Sequence, residues 1–429
     1  MNTSLVLFGS FFILLFLNVP ISVSLGVSSI LTLLASPLPN SMLSLVATNL
    51  YTASNKYVLL AIPFFILGGN IMDVSGISTR LIDFFRSLVG HTRHGLAMVC
   101  VIVACFFAAI SGSGPATVAA LGAILIPAMT NTGYEKSTSA ALMSTAGAIG
   151  IVIPPSITFV VYGSVTGTSI GSLFMSGIIP GVLIGIFIFF MKLSSRGRDL
   201  LQQPKASGAE RWASFKNAVW GLLMPVIILG GIYGGIFTPT EAAAVSAVYG
   251  FIVGLFVYRT LKLKDIMRIL RQSVSQTAVV MFIIGCAAVF GNTLTITGVA
   301  AKASAGLINL AGGNKYIFLQ MVNIILIIAG CFIDANSALY ILCPILFPIA
   351  QKLNIDPVHL GAVMVVNLAF GLITPPVGVN LFTGCGVAGI PLSEMIRKIW
   401  PFVFAVLLVL LLITYIPGIS LLLPNLMAK

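Results

Sequence analysis

Two polar segments interrupt long apolar stretches of this chain, and both carry oxygen atoms suited to a small cation. The first, residues 111–117, reads Ser-Gly-Ser-Gly-Pro-Ala-Thr. Its glycines leave backbone carbonyls free, and Ser111 and Ser113 add neutral hydroxyls. A sodium ion needs several hard oxygen ligands of this kind. Because Gly and Ser also let two helices approach closely, a plain helix contact is the alternative interpretation.

The second polar segment, residues 331–337, contains a carboxylate within apolar sequence. Asp334 is the only acidic residue between Asp265 and Asp356, and Asn336 follows it closely. A charged side chain inside a membrane is costly unless it is paired or solvated, so it marks a functional site by default. Asp is also a favourable helix N-cap. An Asp334→Asn variant separates the two roles, since a cap tolerates it and an ion ligand does not.

Pro-Pro pairs break two apolar helices at matching positions, Pro154-Pro155 and Pro375-Pro376. Each pair removes two backbone donors and keeps the preceding residue out of helical geometry. A broken helix presents an N-terminus that favours an anion and a C-terminus whose carbonyls favour a cation. One proline would suffice for a simple kink, so two matched pairs favour a ligand site. The polar side chains beside the breaks are Ser156, Thr158, Thr374 and Asn380.

The elements that must position these residues are apolar helices. The chain has 429 residues, of which 58% are hydrophobic and 7% charged, and its mean hydropathy is +1.11. These values exclude a soluble globular protein and indicate a polytopic membrane protein in a lipid bilayer. The net charge of +12 lies mostly in short loops, which favours cytoplasmic loops over a nucleic-acid partner. Ser113 has no His or Lys partner in an apolar run, so an enzyme is not expected.

The second half of the chain repeats the first. Matching residues lie 221 or 222 positions apart: Gly69 with Gly291, Pro127 with Pro348, Gly150 with Gly371, and Pro180 with Pro401. Three arginines lie within residues 79–94, whereas the second half carries its basic pair at Arg397-Lys398. Positive charge thus alternates between equivalent positions, as an inverted repeat predicts.

These patterns predict an all-α polytopic membrane protein with about ten transmembrane helices plus two re-entrant hairpins in an inverted repeat. Both termini are expected outside, and pairs of full spans are the alternative to the hairpins. The first predicted repeat spans 1–191 and contains a hairpin at 95–130 and a broken helix at 137–166. A cytoplasmic linker follows at 192–216. The second predicted repeat spans 217–429 and contains a hairpin at 317–351 and a broken helix at 358–388.

Three short motifs carry a resemblance to a known family. Residues 235–244 read Gly-Ile-Phe-Thr-Pro-Thr-Glu-Ala-Ala-Ala, accompanied by Ile-Pro-Pro-Ser at 153–156 and by Tyr162-Gly163. Physically the longest motif needs no chemistry, because Thr240 before Glu241 is typical of a helix start with an acidic first turn. Together the motifs closely resemble the large membrane subunit of the tripartite ATP-independent periplasmic (TRAP) transporters of bacteria, over essentially the whole chain.

The resemblance implies an elevator-type carrier of the bacterial inner membrane that couples sodium to the uptake of an organic anion. Its partners would be a small four-helix membrane subunit and a periplasmic binding protein that delivers the substrate. Sialic acid and C4-dicarboxylates are substrates within the family, and the general look of this chain is closest to the sialic acid branch.

Carried onto this chain, the resemblance implies about two sodium sites with a substrate site between the hairpin tips. The first sodium site would use Ser111, Ser113 and the backbone near Gly150 and Pro154. The second would use Asp334, Asn336 and the backbone near Gly371 and Thr374. The substrate site would use Ser113, Ser156, Thr158, Asp334 and Asn380. Because an acid beside an anionic substrate is unexpected, Asp334 is expected to serve sodium or a substrate hydroxyl.

Three alternatives stay open from the sequence. A stand-alone sodium and divalent-anion symporter of related architecture would take up substrate without a binding protein. A passive channel would show flux without ion coupling or saturation. An intramembrane enzyme would need a nucleophile with a base, or paired metal ligands, within the spans.

Overall fold

The computed structural model describes residues 3–192 and 204–427, and across these residues the chain is helical and has no strand. Eight of the described helices are long and apolar enough to cross a membrane. The prediction of an all-α polytopic membrane protein is therefore confirmed, while the number of ten spans stays a prediction. Of the predicted linker at 192–216, residues 193–203 lie outside the described residues.

The first half of the chain forms helices α1 to α10. These are α1 Thr3–Phe16, α2 Ile21–Ala35, α3 Ser44–Ser54, α4 Ala61–Val74, α5 Ile77–Val89, α6 Gly95–Ser111, α7 Gly114–Asn131, α8 Lys136–Ala148, α9 Ile157–Thr166 and α10 Ile170–Lys192. Short 3-10 turns precede α3 and α4 and follow α8.

The second half forms helices α11 to α20. These are α11 Gly208–Tyr233, α12 Pro239–Ile252, α13 Leu263–Ile296, α14 Val299–Ala311, α15 Lys315–Phe332, α16 Ala335–Lys352, α17 Pro357–Gly371, α18 Val379–Ala388, α19 Leu392–Tyr415 and α20 Gly418–Met427. A π-helical turn at Val253–Val257 ends α12.

Glycine makes the same sharp turn in each half. Gly76, between α4 and α5, has a φ of +71°, and Gly298, between α13 and α14, has a φ of +72°. Residues with a Cβ rarely adopt this left-handed conformation. The two glycines occupy matching positions of the sequence repeat, so the repeat extends to the local backbone.

The helix start within the 235–244 motif differs in detail from its sequence interpretation. Thr238, not Thr240, is the N-cap of α12, with Pro239 in the first helical turn. The Thr238 N–H donates to Glu241 Oε2 at 2.8 Å, and the Glu241 N–H donates to Thr238 Oγ1 at 3.3 Å. This reciprocal capping box satisfies two N–H groups that the helix itself leaves unpaired.

Each predicted hairpin consists of two adjacent helices, α6 with α7 and α15 with α16, that pack against one another. Their arms have 17 or 18 residues. At about 1.5 Å per residue an arm is ~26 Å long, which is short of the ~30 Å hydrocarbon core of a bilayer. Re-entry of both arms from one face stays a prediction, and this length favours it.

The helices form two packed groups. We call α1–α4 with α11–α13 the frame, in which α4 packs against α12 and α13, and α2 packs against α13. We call α6–α10 with α15–α19 the bundle, in which helices of opposite halves pack together, α7 on α18 and α8 on α19. Frame and bundle meet along α4 with α6 and along α13 with α16. The two hairpin tips lie within the bundle and face the frame.

Candidate functional site

The first hairpin tip packs directly onto the first helix break. The Ile157 N–H donates to the Gly112 carbonyl oxygen at 3.5 Å. A Cβ added to Gly150 would lie 2.9 Å from the Ser113 carbonyl oxygen. The tip therefore reaches the break only because position 150 has no side chain. The buried Pro154-Pro155 pair forms the break itself, and its peptide bond is cis.

Three neutral oxygen atoms converge at this tip. Thr117 Oγ1 lies 2.8 Å from Ser111 Oγ and donates to the Ser113 carbonyl oxygen at 2.8 Å. Ser111 Oγ lies 3.3 Å from the same carbonyl oxygen. Ser111 is 6% exposed and Thr117 is fully buried, so these oxygens fit the hard ligands of a small cation. Thr117 is absent from the predicted ligands, although a hydroxyl one helical turn after Ser113 is a usable signal.

At the second tip, Asp334 caps the returning arm of the hairpin. Its Oδ1 accepts hydrogen bonds from the N–H of Asn336 at 3.0 Å and of Ser337 at 3.1 Å, and the Ser337 hydroxyl donates to Oδ2. The helix-cap interpretation is thus observed. The carboxylate also lines the large cavity described below, so the cap leaves a ligand role open. Asn336 Oδ1 is buried without a hydrogen-bond partner in the described part of the chain, which leaves it available as a ligand.

The second break packs onto the second hairpin as the first break packs onto the first. The Val377 N–H donates to the Cys331 carbonyl oxygen at 3.3 Å. A Cβ added to Gly371 would lie 2.7 Å from the Cα of Gly330, so these two backbones are in direct contact. Thr374 Oγ1 donates to the carbonyl oxygen four residues earlier at 2.7 Å. The Thr374 hydroxyl hydrogen is therefore used in a bond to the end of its own helix. Only the lone pairs of this oxygen remain available to a ligand.

A cavity of about 980 Å³ lies between the two tips and the frame. The predicted site residues that it brings together are Ser111, Ser113, Thr158, Asp334 and Asn336. They come from both halves of the chain, although the two tips are more than 200 residues apart in sequence. Among the described residues that line the cavity, Asp73 and Asp334 are acidic, and none is Lys, Arg or His.

The frame contributes polar groups that sequence reasoning does not find. Asn70 Nδ2 donates to Ser273 Oγ and to Gln276 Oε1, both at 2.9 Å. Asp73 accepts a hydrogen bond from a serine hydroxyl at 3.4 Å. Asn70, Asp73, Gln272 and Gln276 all line the cavity. In the sequence analysis, the match of Gly69 with Gly291 in the repeat is the one signal that concerned this helix.

Ser156 and Asn380 are not brought to the cavity, contrary to the substrate site expected from the sequence. Both are fully buried. Ser156 is the N-cap of α9, and its hydroxyl donates to the Ile151 carbonyl oxygen at 2.6 Å. Asn380 Nδ2 donates to the Ser144 carbonyl oxygen at 3.0 Å, and Ser144 Oγ donates back to the Asn380 carbonyl oxygen at 3.0 Å. Ser156 thus caps the helix that follows the first break. The Asn380 amide joins the two halves of the bundle, while its Oδ1 is buried without a hydrogen-bond partner among the described residues.

Comparison with known proteins identifies what this arrangement is similar to. The family model described as "Tripartite ATP-independent periplasmic transporter, DctM component" matches residues 8–419. The C4-dicarboxylate TRAP transporter large permease protein DctM of Pseudomonas aeruginosa is 48% identical over 403 residues, which cover 94% of each chain. The sialic acid TRAP transporter large permease protein SiaM of Vibrio cholerae is 36% identical and covers 96% of each chain.

Among solved structures, the YdaH transporter of Alcanivorax borkumensis superposes with a TM-score of 0.66. The alignment covers 89% of this chain and 90% of that one, at 15% sequence identity. At this identity the likeness concerns the fold alone.

Proposed function

The chain belongs to the DctM-component family of the tripartite ATP-independent periplasmic transporters, and we propose that it is the translocating subunit of a sodium-coupled importer of an organic anion. Membership of this family makes it a transport permease rather than an enzyme. The sodium coupling, the anion and the partner proteins are the parts that we propose.

The charge of the cavity is the observation that carries the proposal. Two carboxylates, Asp73 and Asp334, line it, and no basic residue does so in the described parts of the chain. Such a cavity repels an organic anion unless cations enter with it. The oxygen clusters at the two tips, around Thr117 and around Asn336, are where sodium ions would bind.

Binding of sodium and of the anion would therefore be coupled. Sodium at the Asp334 tip neutralises a carboxylate that faces the cavity, and sodium at the Ser111 tip adds positive charge within neutral surroundings. Each ion raises the affinity for the anion, and by thermodynamic reciprocity the anion raises the affinity for sodium. Ser113 and Thr158 supply neutral donors from the bundle, and the Gln276 amide supplies one from the frame.

The packing of the helices supports an elevator movement. Both tips belong to the bundle, which contacts the frame along α4 with α6 and α13 with α16. We propose that the bundle moves with its ions and anion against a frame that stays fixed beside a small membrane subunit. The positive-inside bias places Arg80, Arg86 and Arg93 on the cytoplasmic side of the bacterial inner membrane. A periplasmic binding protein would deliver the anion to the opposite side.

For the anion we propose a C4-dicarboxylate, with sialic acid as the second candidate. The P. aeruginosa relative named for C4-dicarboxylates is 48% identical to this chain, against 36% for the relative named for sialic acid. A cavity of about 980 Å³ accommodates either compound. The identity values therefore decide the order of the two candidates.

Uptake into proteoliposomes tests the proposal. The vesicles contain this chain with its small membrane subunit, and labelled succinate or sialic acid is supplied with or without an inward sodium gradient and with or without the binding protein. We expect uptake of succinate that needs both the gradient and the binding protein. Uptake with sodium alone would instead indicate a stand-alone symporter, and unsaturable uptake without sodium would indicate a channel.

A further inference from the structure

A second, smaller pocket of about 250 Å³ lies between frame and bundle, and it is the repeat counterpart of the large cavity. Its lining residues match lining residues of the large cavity at a spacing of 222 or 221 positions: Gly291 with Gly69, Asn292 with Asn70, Tyr340 with Ala119, and Pro344 with Ala123. Equivalent surfaces of the two halves thus form one large and one small space.

In an inverted repeat, equivalent surfaces face opposite sides of the membrane. Ala119 and Ala123 lie on α7, which leads back from the first tip, and Tyr340 and Pro344 lie on α16, which leads back from the second. With Arg80, Arg86 and Arg93 on the cytoplasmic side, as proposed above, the large cavity would face the cytoplasm. The small pocket would then lie at the equivalent place on the outer side, between frame and bundle.

The two spaces differ in charge at equivalent ends. Asp73 lines the large cavity, and its repeat counterpart in the small pocket is the neutral Thr295. The small pocket instead contains Lys56, together with the amide of Asn292 and the hydroxyl of Tyr340. No acidic residue lines the small pocket in the described ranges 3–192 and 204–427. Its polar groups are therefore those that recognise a carboxylate.

Lys56 connects the frame to the bundle in this arrangement. It lies between α3 and the turn that precedes α4, and its Nζ donates to the Ser164 carbonyl oxygen of α9 at 2.6 Å. Ser164 Oγ in turn lies 3.3 Å from the Tyr340 hydroxyl. Partial burial lowers the pKa of the Lys56 ammonium from its usual value. If the bundle moves, Ser164 moves with it, and the ammonium loses the one hydrogen-bond acceptor that it has among the described residues.

We propose that the small pocket is the closed outer end of the transport passage and that Lys56 is the group that binds the carboxylate of the incoming anion when this end opens. The assignment rests on the proposed function. With this role for Lys56 the passage is asymmetric. The Lys56 ammonium attracts the anion on the outer side, and the Asp73 carboxylate disfavours rebinding of the anion from the inner side. In the arrangement seen here, the Ser164 carbonyl accepts a hydrogen bond from one of the three N–H groups of the ammonium.

Replacing and then restoring the positive charge tests this role. Lys56→Cys is reconstituted with the small membrane subunit and labelled with 2-aminoethyl methanethiosulfonate, which recreates an ammonium, or with the 2-sulfonatoethyl reagent, which introduces an anion. Initial uptake of succinate is measured at a low concentration of loaded binding protein. Wild type treated in parallel controls for the native cysteines, and Lys302→Cys, an exposed lysine on α14, is the matched control.

We expect Lys56→Cys to take up succinate about tenfold more slowly than wild type, aminoethylation to restore at least half of the rate, and sulfonatoethylation to restore none. Loaded binding protein should also slow the labelling of Cys at position 56 about threefold relative to substrate-free binding protein, because the anion occupies the pocket. Lys302→Cys should stay within twofold of wild type under every treatment.

Three results would overturn the assignment. They are uptake by Lys56→Cys within twofold of wild type, equal effects of the two reagents, and a labelling rate that is the same with loaded and with substrate-free binding protein. The last result would leave Lys56 as a mechanical contact between frame and bundle only. Wild-type vesicles separate this failure from that of the proposed function. If they show no uptake that needs sodium and the binding protein, the function itself is wrong and the role of Lys56 falls with it.

Discussion

The two hairpin tips have the same backbone plan but different chemistry. In each half a backbone N–H of the break donates to a carbonyl of the tip, at 3.5 Å in the first and 3.3 Å in the second. The first tip offers neutral oxygens, from Ser111, Ser113 and Thr117. The second offers the Asp334 carboxylate and the Asn336 amide oxygen. Backbone packing therefore determines where a ligand can bind at each tip, and the side chains determine how much charge contributes to its binding.

The largest effect on stability and transport should come from the backbone contacts between tip and break, because both tips depend on these contacts. A Cβ on Gly371 would lie 2.7 Å from the Cα and 2.9 Å from the carbonyl oxygen of Gly330, and neither atom can turn aside. We expect Gly371→Ala to lower the free energy of unfolding by about 3 kcal/mol and to abolish transport. Thermal unfolding in detergent and uptake measure the two effects. Gly386→Ala, on α18 with nothing within 4 Å of its Cβ position, should behave as wild type.

The equivalent substitution in the first half is Gly150→Ala. A Cβ on Gly150 would lie 2.9 Å from both the Ser113 carbonyl oxygen and Thr117 Oγ1. One of these atoms belongs to a side chain that can turn, so Gly150→Ala should be less destabilising than Gly371→Ala. If Gly150→Ala proves more destabilising than Gly371→Ala, the contact between Gly371 and Gly330 is less rigid than its distances indicate.

The next effect concerns charge at the second tip. Asn is about as good an N-cap as Asp, so Asp334→Asn should keep the helix and remove the charge that attracts sodium. We expect the apparent affinity for sodium in uptake to fall about 100-fold, equal to ~2.7 kcal/mol. Asp356→Asn is the matched control, because Asp356 caps α17 through the N–H of Val358 at 2.7 Å and of His359 at 3.2 Å and does not line the cavity.

Two outcomes would contradict a charged sodium ligand at the second tip. Unchanged sodium dependence in Asp334→Asn would leave Asp334 as a cap only, and the tips would then be chemically alike. A loss in Asp356→Asn as large as in Asp334→Asn would assign the effect to helix capping in general.

A smaller effect is expected from the neutral first tip. Thr117→Val keeps the shape of the side chain but removes the hydroxyl that contacts Ser111 and Ser113. We expect the apparent sodium affinity to fall about tenfold, or ~1.4 kcal/mol, because a neutral ligand contributes less than a charged one. Thr145→Val should change the apparent sodium affinity less than twofold, because among the described residues the Thr145 Oγ1 bonds only to the Ala141 carbonyl of its own helix, at 2.9 Å. A Thr117→Val effect larger than that of Asp334→Asn would reverse the assigned roles.

The sequence predicted this site unevenly, for physical reasons. Local backbone chemistry is visible in sequence, so the helix interruptions around Ser113 and Asp334 and at the two proline pairs lie where the sequence predicts them. The cavity-facing groups of the frame, such as Asn70 and Gln276, are missed because only tertiary packing brings α4 and α13 across from the tips.

The same limit explains the two predicted substrate residues that do not line the cavity. Ser156 and Asn380 are polar and adjacent to the breaks, which favoured a substrate role. A polar side chain beside a break can equally bond to backbone groups, as Ser156 does at its own break and Asn380 does at the Ser144 carbonyl of α8. Sequence shows that such a group is needed but not which way it points.

The smallest effect should come from a difference between the halves that lies away from the tips. Asn367 Nδ2 donates to Asn323 Oδ1 at 2.6 Å, between α17 and α15. The first half has Ile102 and Ala146 at the equivalent positions, so this hydrogen bond has no repeat counterpart. Hydrogen bonds between membrane helices contribute about 0.6 kcal/mol on average. A double-mutant cycle with Asn323→Leu and Asn367→Leu, measured by unfolding in detergent, should give a coupling energy of that size.

Sodium affinity should be unchanged in these variants, because the pair stabilises the second half of the bundle without lining the cavity. Asn323 also donates to Thr414 Oγ1 at 3.0 Å, so Thr414→Val should lower stability by a similar amount and leave uptake intact. A drop in sodium affinity in any of these variants would extend the second ion site away from the tip and along α17. The tips would then differ in the depth of their ion sites as well as in charge.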